Sequence, residues 1–110
     1  MAAKYDLKKS TDGQFFFHLK AANGEIILSS EQYKSKASAE GGIESVRKNA
    51  PDDARYQRKK STNDKPFFVL TAANDEPIGK SETYGSADAM ESGIASVKKN
   101  APDAKADDQT

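Results

Sequence analysis

FFHLKAANGEIILSSEQYKSKASAEGGIESVRKNAPD, residues 16–52, returns at residues 67–103 as FFVLTAANDEPIGKSETYGSADAMESGIASVKKNAPD. The two stretches align without a gap at an offset of 51, and 22 of the 37 positions are identical. Self-similarity at a fixed period marks a duplicated structural unit. The register extends upstream, where Tyr5, Lys8, Lys9, Ser10 and Thr11 fall on Tyr56, Lys59, Lys60, Ser61 and Thr62. Residues 1–105 therefore read as one domain of two repeats, 1–51 and 52–105, with eight of the nine aromatic residues at matched positions. What remains, Ala106–Thr110, is polar and acidic, has nothing apolar to bury, and is predicted to be a frayed, disordered tail.

Each unit begins with a short stretch, Tyr5–Ser10 or Arg55–Ser61, that ends at turn formers (Thr11-Asp12-Gly13, Thr62-Asn63-Asp64) before an aromatic-rich run. Phe15–Ala21 and Phe67–Ala72 are β-prone, and Asn23-Gly24 or Asn74-Asp75 then supplies residues that tolerate positive φ, a hairpin signal. A third strand follows at Glu25–Ser29 and Glu76–Lys80. Pro77 cannot donate a ladder hydrogen bond, which predicts a sheet edge or a solvent-facing nitrogen there.

The helix signal is the clearest. Ala39, Gly42, Ile43 and Val46 match Met90, Gly93, Ile94 and Val97, and their spacing places them on an arc of about 100°. Ser35 and Ser86 suit the N-cap, Arg47-Lys48 and Lys98-Lys99 suit the negative end of the dipole, and Pro51 and Pro102 forbid continuation. Asn49 and Asn100 are predicted to take the left-handed conformation at the C-terminus. A glycine on the apolar stripe, Gly42 or Gly93, costs about 1 kcal/mol against alanine and signals close approach of the helix to its sheet or to its twin helix.

A β-β-β-α unit of this size cannot cover both its sheet face and its helix stripe alone. The fold predicted is α+β: a tandem duplication with two helices on one face of an antiparallel sheet of about six strands, related by an internal pseudo-two-fold axis. The motifs Phe17–Glu25, Ser30–Tyr33 and Gly42–Ala50, repeated at Phe68–Glu76, Ser81–Tyr84 and Gly93–Ala101, resemble the YegP-like family of uncharacterised small bacterial proteins over nearly the whole chain. Departures are few: Arg47 stands opposite Lys98, and Asp75 replaces the hairpin glycine. The resemblance implies the duplicated fold, a monomer that pairs internally as single-repeat relatives would pair as dimers, and no catalytic residues.

Composition narrows function by exclusion. Zero cysteine removes disulfide scaffolds, thiolate metal sites and thiol catalysis. No apolar run exceeds four residues and the N-terminus lacks a signal-like apolar region, so a cytoplasmic protein without a membrane segment is predicted. With 17 basic and 17 acidic side chains, no whole-molecule field draws the chain to a polyanion. The lone histidine, His18, has Val69 as its counterpart, and no triad, metal-ligand spacing or phosphate loop is present. The reading is non-enzymatic, with no cofactor.

Two surfaces remain. If Asn23-Gly24 is a two-residue turn, strand alternation places Phe15, Phe17, Leu19, Ala21, Ile26 and Leu28 under the helices. Phe16, His18, Lys20 and Ile27, with Phe67, Val69 and Ile78 of the second repeat, then lie on the opposite face. Phe16, Ile27, Phe67, Val69 and Ile78 make an apolar stripe there, an interaction face for protein or for self-association. A bulge or a longer turn would instead return Ile27 and Ile78 to the core, or the N-terminal strands would cover the stripe. The second surface is basic: Arg55, Tyr56, Arg58, Lys59 and Lys60, with Lys8 and Lys9 equivalent, suit weak single-stranded nucleic-acid binding, or an edge strand guarded against aggregation. Ser30-Glu31 with Tyr33, and Ser81-Glu82 with Tyr84, are read as structural capping and anchoring, the alternative being a polar ligand site.

Overall fold

A computed structural model describes residues 3–110. Its elements run β1 (Lys4–Lys9), β2 (Phe15–Lys20), β3 (Ile26–Ser29), α1 (Lys36–Asn49), β4 (Tyr56–Lys60), β5 (Pro66–Thr71), β6 (Pro77–Lys80), α2 (Ala87–Asn100) and β7 (Lys105–Asp108), with a 3-10 turn at Asp53–Arg55. The strands form one sheet in the order β4-β5-β6-β3-β2-β1-β7. The repeats abut through β3 and β6, which pair antiparallel at Ser29 and Lys80, equivalent residues on the pseudo-two-fold. All pairings are antiparallel except β1 with β7, so the sheet is mixed and seven-stranded where six antiparallel strands were predicted. The tail predicted to fray supplies that extra strand. Its attachment is main-chain and ionic: Gln109 N donates to Leu7 O at 2.8 Å, and Asp107 and Asp108 pair with Lys4 and Lys36.

Both helices start where their serines predict, the Ser35 hydroxyl accepting from Ser38 N and that of Ser86 from Ala89 N. They end differently from prediction. Asn49 and Asn100 remain helical and donate through Nδ2 to Ser45 O and Ser96 O, and the C-caps Ala50 and Ala101 stay right-handed. The exposed carbonyls are met across the repeats instead. Tyr56 Oη donates to Ala50 O at 2.7 Å and Tyr5 Oη to Ala101 O at 2.8 Å, so the first strand of each repeat caps the helix of the other.

The helices cover one face of the sheet over a core whose fully buried side chains include Tyr5, Leu7, Phe17, Leu19, Leu28, Ile43, Phe68, Leu70 and Ile94. The glycines on the helix stripes make room for tyrosines. A Cβ on Gly42 would lie 2.8 Å from Tyr33 Cζ, and one on Gly93 2.7 Å from Tyr84 Cζ. Those rings stack on Phe17 and Phe68, each with centroids 6.3 Å apart. At the dyad the symmetry breaks: Leu28 and Gly79 are equivalent, and a Cβ on Gly79 would lie 2.7 Å from Leu28 Cγ. One leucine fills space that two cannot share. Of the two expectations for Pro77, a sheet edge or a solvent-facing nitrogen, the edge does not hold: Pro77 opens the inner strand β6, where the first strand position tolerates a missing donor.

Candidate functional site

All four hairpins use the same turn. In β1–β2, Gly13 N donates to Ser10 O and Ser10 N to Gln14 O; in β2–β3, Gly24 N donates to Ala21 O and Ala21 N to Glu25 O. Asp64 and Asp75 occupy the matching positions in the second repeat, and all four residues have φ between 64° and 85°. This is a three-residue loop with a left-handed third residue, so at Asn23-Gly24 the alternative of a longer turn holds in place of the two-residue one. The register therefore differs, and a bulge follows. Leu19 pairs with Leu28 but Lys20 with Ile26, leaving Ile27 as the extra residue; Ile78 is extra in the same way between Leu70–Gly79 and Thr71–Pro77. Ile27 and Ile78 are consequently buried, each 7% exposed, and leave the predicted interaction face. Ile26, predicted under the helices, is the half-buried residue opposite Lys20 on the other face.

The helix-free face keeps Phe16, Phe67 and Val69, all half-buried. Asp6, His18, Ser29, Lys80, Val69 and Gln57 form one row across six strands. Phe16 and Phe67 flank that row on opposite sides of the dyad, about 20 Å apart by strand spacing and rise. Each stands beside an equivalent lysine, Phe16 opposite Lys8 and Phe67 opposite Lys59, and Lys80 Nζ lies 5.3 Å from the Phe67 ring centroid. Among the described residues no carboxylate lies within 4.0 Å of Lys8, Lys59 or Lys80.

The β1 end of this face is electrostatically closed. Asp6 is 1% exposed, and Lys20 Nζ lies 2.6 Å and Lys4 Nζ 3.4 Å from its carboxylate, to which Gln109 also donates. Burial pushes the Asp6 carboxyl up, but the two lysines outweigh it and hold it below its ordinary value. His18, next in the row, packs edge-on against Phe16 with centroids 5.3 Å apart. Burial pushes the His18 imidazole down, Lys8 and Lys20 push the same way, and its Nδ1 is enclosed without a hydrogen-bond partner. Its ring extends the aromatic surface of Phe16.

The basic stretch does not act as one surface. Tyr56 is buried, so its ring has no face for a base. Arg58 donates to Glu91 at 2.6 and 3.0 Å and to Asp53 at 3.0 Å, while Arg55 pairs with Asp52 and Lys60 with Asp64. Lys9 lies over the Phe15 ring on the helix side. Only Lys59, with its counterpart Lys8, joins the aromatic face. The Ser-Glu-x-Tyr motifs make the same backbone contacts in both copies. Ser30 Oγ accepts from Phe17 N at 2.8 Å and Ser81 Oγ from Phe68 N at 2.9 Å, each hydroxyl donating onward to the carbonyl of Glu31 or Glu82. Burial raises the Tyr33 and Tyr84 phenols, as expected of anchoring rings.

Asp6 and Lys80 were missed in the sequence. A carboxylate between Tyr5 and Leu7 was the available signal for Asp6. Lys80 has Ser29 as its counterpart, so repeat matching passed over it. Among the described residues no cluster of three or more His, Asp or Glu side chains is arranged to hold a metal. Among the described residues no helix is long and apolar enough to cross a membrane.

The family model of DUF1508, a domain of unknown function, matches residues 10–57 and 61–108. The chain is 53% identical over 110 residues to the UPF0339 protein YegP of Escherichia coli O157:H7, covering all of both chains. It is 56% identical over 106 residues to a UPF0339 protein of Bordetella pertussis, covering 96% of each. Two solution NMR structures share the fold. One is a protein of unknown function, yegP, from E. coli (TM-score 0.94, 52% identity, 100% of this chain and 95% of that chain). The other is a UPF0339 protein from Shewanella oneidensis (TM-score 0.92, 48% identity, 98% and 92%).

Proposed function

Because the chain belongs to the DUF1508 family, two copies of which here share a single sheet, we propose that it is a non-enzymatic cytoplasmic module that binds protein, its own second copy included, through the helix-free face. One observation carries this reading. Phe16 and Phe67, related by the internal pseudo-symmetry, stand half-exposed on the face that neither helix covers, each with an unpaired lysine beside it. Exposed aromatic side chains are enriched among the residues that carry binding energy at protein interfaces. Tight burial of Asp6 and the edge-on packing of His18 against Phe16 support a preorganised surface.

The test is affinity capture from a bacterial lysate, comparing the wild-type chain with Phe16→Ser/Phe67→Ser, after amide spectra show that both are folded. Partners depleted at least tenfold in the double variant support the reading; identical captures, with no concentration-dependent self-association of the wild type, refute it. The lysines favour a second reading, single-stranded nucleic acid stacked on Phe16 and Phe67 and held by Lys8, Lys59 and Lys80. Titrating a mixed-sequence oligonucleotide at low and near-physiological salt decides it. Shifts at these residues that weaken with salt support it, and an unchanged spectrum removes it.

A further inference from the structure

The two ends of the sheet are equivalent by symmetry but not by occupancy. β1 and β4 are corresponding strands, and β1 carries β7 in parallel on its outer edge, while β4 is the last strand on its side. The contrast is visible in burial: Tyr5 and Tyr56 are buried on both edges, but Asp6 and Leu7 are buried while their counterparts Gln57 and Arg58 are exposed. We infer that the outer edge of β4 is a docking site for an extended acidic segment of another protein, added as a parallel strand in the way β7 is added to β1.

The filled edge supplies the register. Lys4, Tyr5, Asp6 and Leu7 face Lys105, Ala106, Asp107 and Asp108, and Gln109 N donates to Leu7 O. On that edge Asp107 pairs with Lys4 on the helix-free face, and Asp108 pairs with Lys36 on the helix side. Shifted by 51, a carboxylate at the Asp107 place lies opposite Gln57, between Arg55 and Lys59, the residues two before and two after it. A carboxylate at the Asp108 place lies opposite Arg58, with Lys60 next on the same side. On the helix-free side the first acid of an incoming strand meets Lys59, which pairs with no carboxylate among the described residues, while on the helix side the second meets Arg58 and Lys60, where it competes with Glu91, Asp53 and Asp64. Strand addition of this kind draws affinity from main-chain hydrogen bonds and selectivity from alternate side chains.

The same lysines that keep an edge from pairing with apolar or basic strands admit an acidic one. A second copy is disfavoured as the occupant. Its basic edge repels this one, and its acidic strand is held on its own β1 at the high effective concentration of an intramolecular contact. This inference concerns a different surface from the aromatic face and does not depend on it.

A capped peptide with the sequence of residues 104–110, AKADDQT, is the probe, titrated into the 15N-labelled full chain up to about 1 mM. Saturable shifts at the amides of Tyr56–Lys60 are expected, weakened severalfold by 0.5 M salt and lost in Lys59→Glu/Lys60→Glu. A peptide with Asn in place of both Asp should bind at least tenfold more weakly. Four results overturn the inference: no shift at β4; shifts confined to β1, as when the peptide displaces β7; equal binding of the Asn peptide; or β4 shifts on concentrating the protein alone, which give the edge to a second copy. If the charge-reversed variant unfolds, Lys59→Gln/Lys60→Gln supplies the comparison, and unchanged affinity there overturns the inference.

Discussion

Exchanging the two residues at the dyad tests how the duplicated halves are joined. Leu28 is fully buried, and its equivalent Gly79 would place a Cβ 2.7 Å from Leu28 Cδ2 and Cγ, inside any real contact distance. Gly79→Leu alone should therefore overpack the centre of the sheet and cost about 3 kcal/mol. Leu28→Gly alone opens a leucine-sized cavity and adds a glycine to a strand, for about 4 kcal/mol. If the positions were independent, the exchange variant Leu28→Gly/Gly79→Leu would lose about 7 kcal/mol, enough to unfold a domain of ordinary stability. Because one side chain fills one shared space, the exchange should cost no more than about 3 kcal/mol. Urea unfolding followed by circular dichroism, with linear extrapolation, measures all three. Additive losses would refute the claim that Leu28 occupies the volume of both halves.

The cross-repeat caps make Tyr5→Phe and Tyr56→Phe each cost about 1–2 kcal/mol, since a helix-terminal carbonyl loses its partner in a buried place; equal urea midpoints for wild type and variants would contradict this. Asp64 and Asp75 hold left-handed backbone that Gly13 and Gly24 hold in the other repeat, so Asp64→Gly and Asp75→Gly should each stabilise by up to about 1 kcal/mol, read as a higher urea midpoint; a lower midpoint for both would count against the shared turn. His18 is depressed mainly by burial, so its neutral form is favoured by folding. That contribution is complete above the unfolded value of about 6.5 and declines as pH falls through and below it. An imidazole NMR titration should give a midpoint below 6.5, and one at or above it would show that the ring is not enclosed.

The helices were legible because their signals are local: a serine, an apolar stripe, two cations and a proline fall within about 17 residues. The hairpins were legible in position but not in register. Asn23-Gly24 marks a turn, yet whether Ala22 belongs to the loop decides every assignment after it, and one residue of difference moved Ile26 outward and Ile27 into the core. The fate of Ala106–Thr110 was not legible, because apolar content was the criterion and the strand is held by main-chain bonds to a β1 edge 100 residues distant. The same distance hid the tyrosine caps: Tyr5 and Ala101 meet only because the repeats are interleaved. On the candidate site, three of the five residues of the apolar stripe survived the bulge. Phe16, Phe67 and Val69 kept the open face because β2 and β5 carry no bulge before Leu19 and Leu70.

Photo-cross-linking in living bacteria tests the interaction face most directly. A benzophenone side chain in place of Phe16 or Phe67 puts the reactive group on that face, and the same group at the exposed helix position Glu40 is the control. Discrete adducts formed from positions 16 and 67, absent from position 40, are predicted. Adducts that are equally frequent from all three positions, or absent from the first two, would contradict a binding role for the helix-free face.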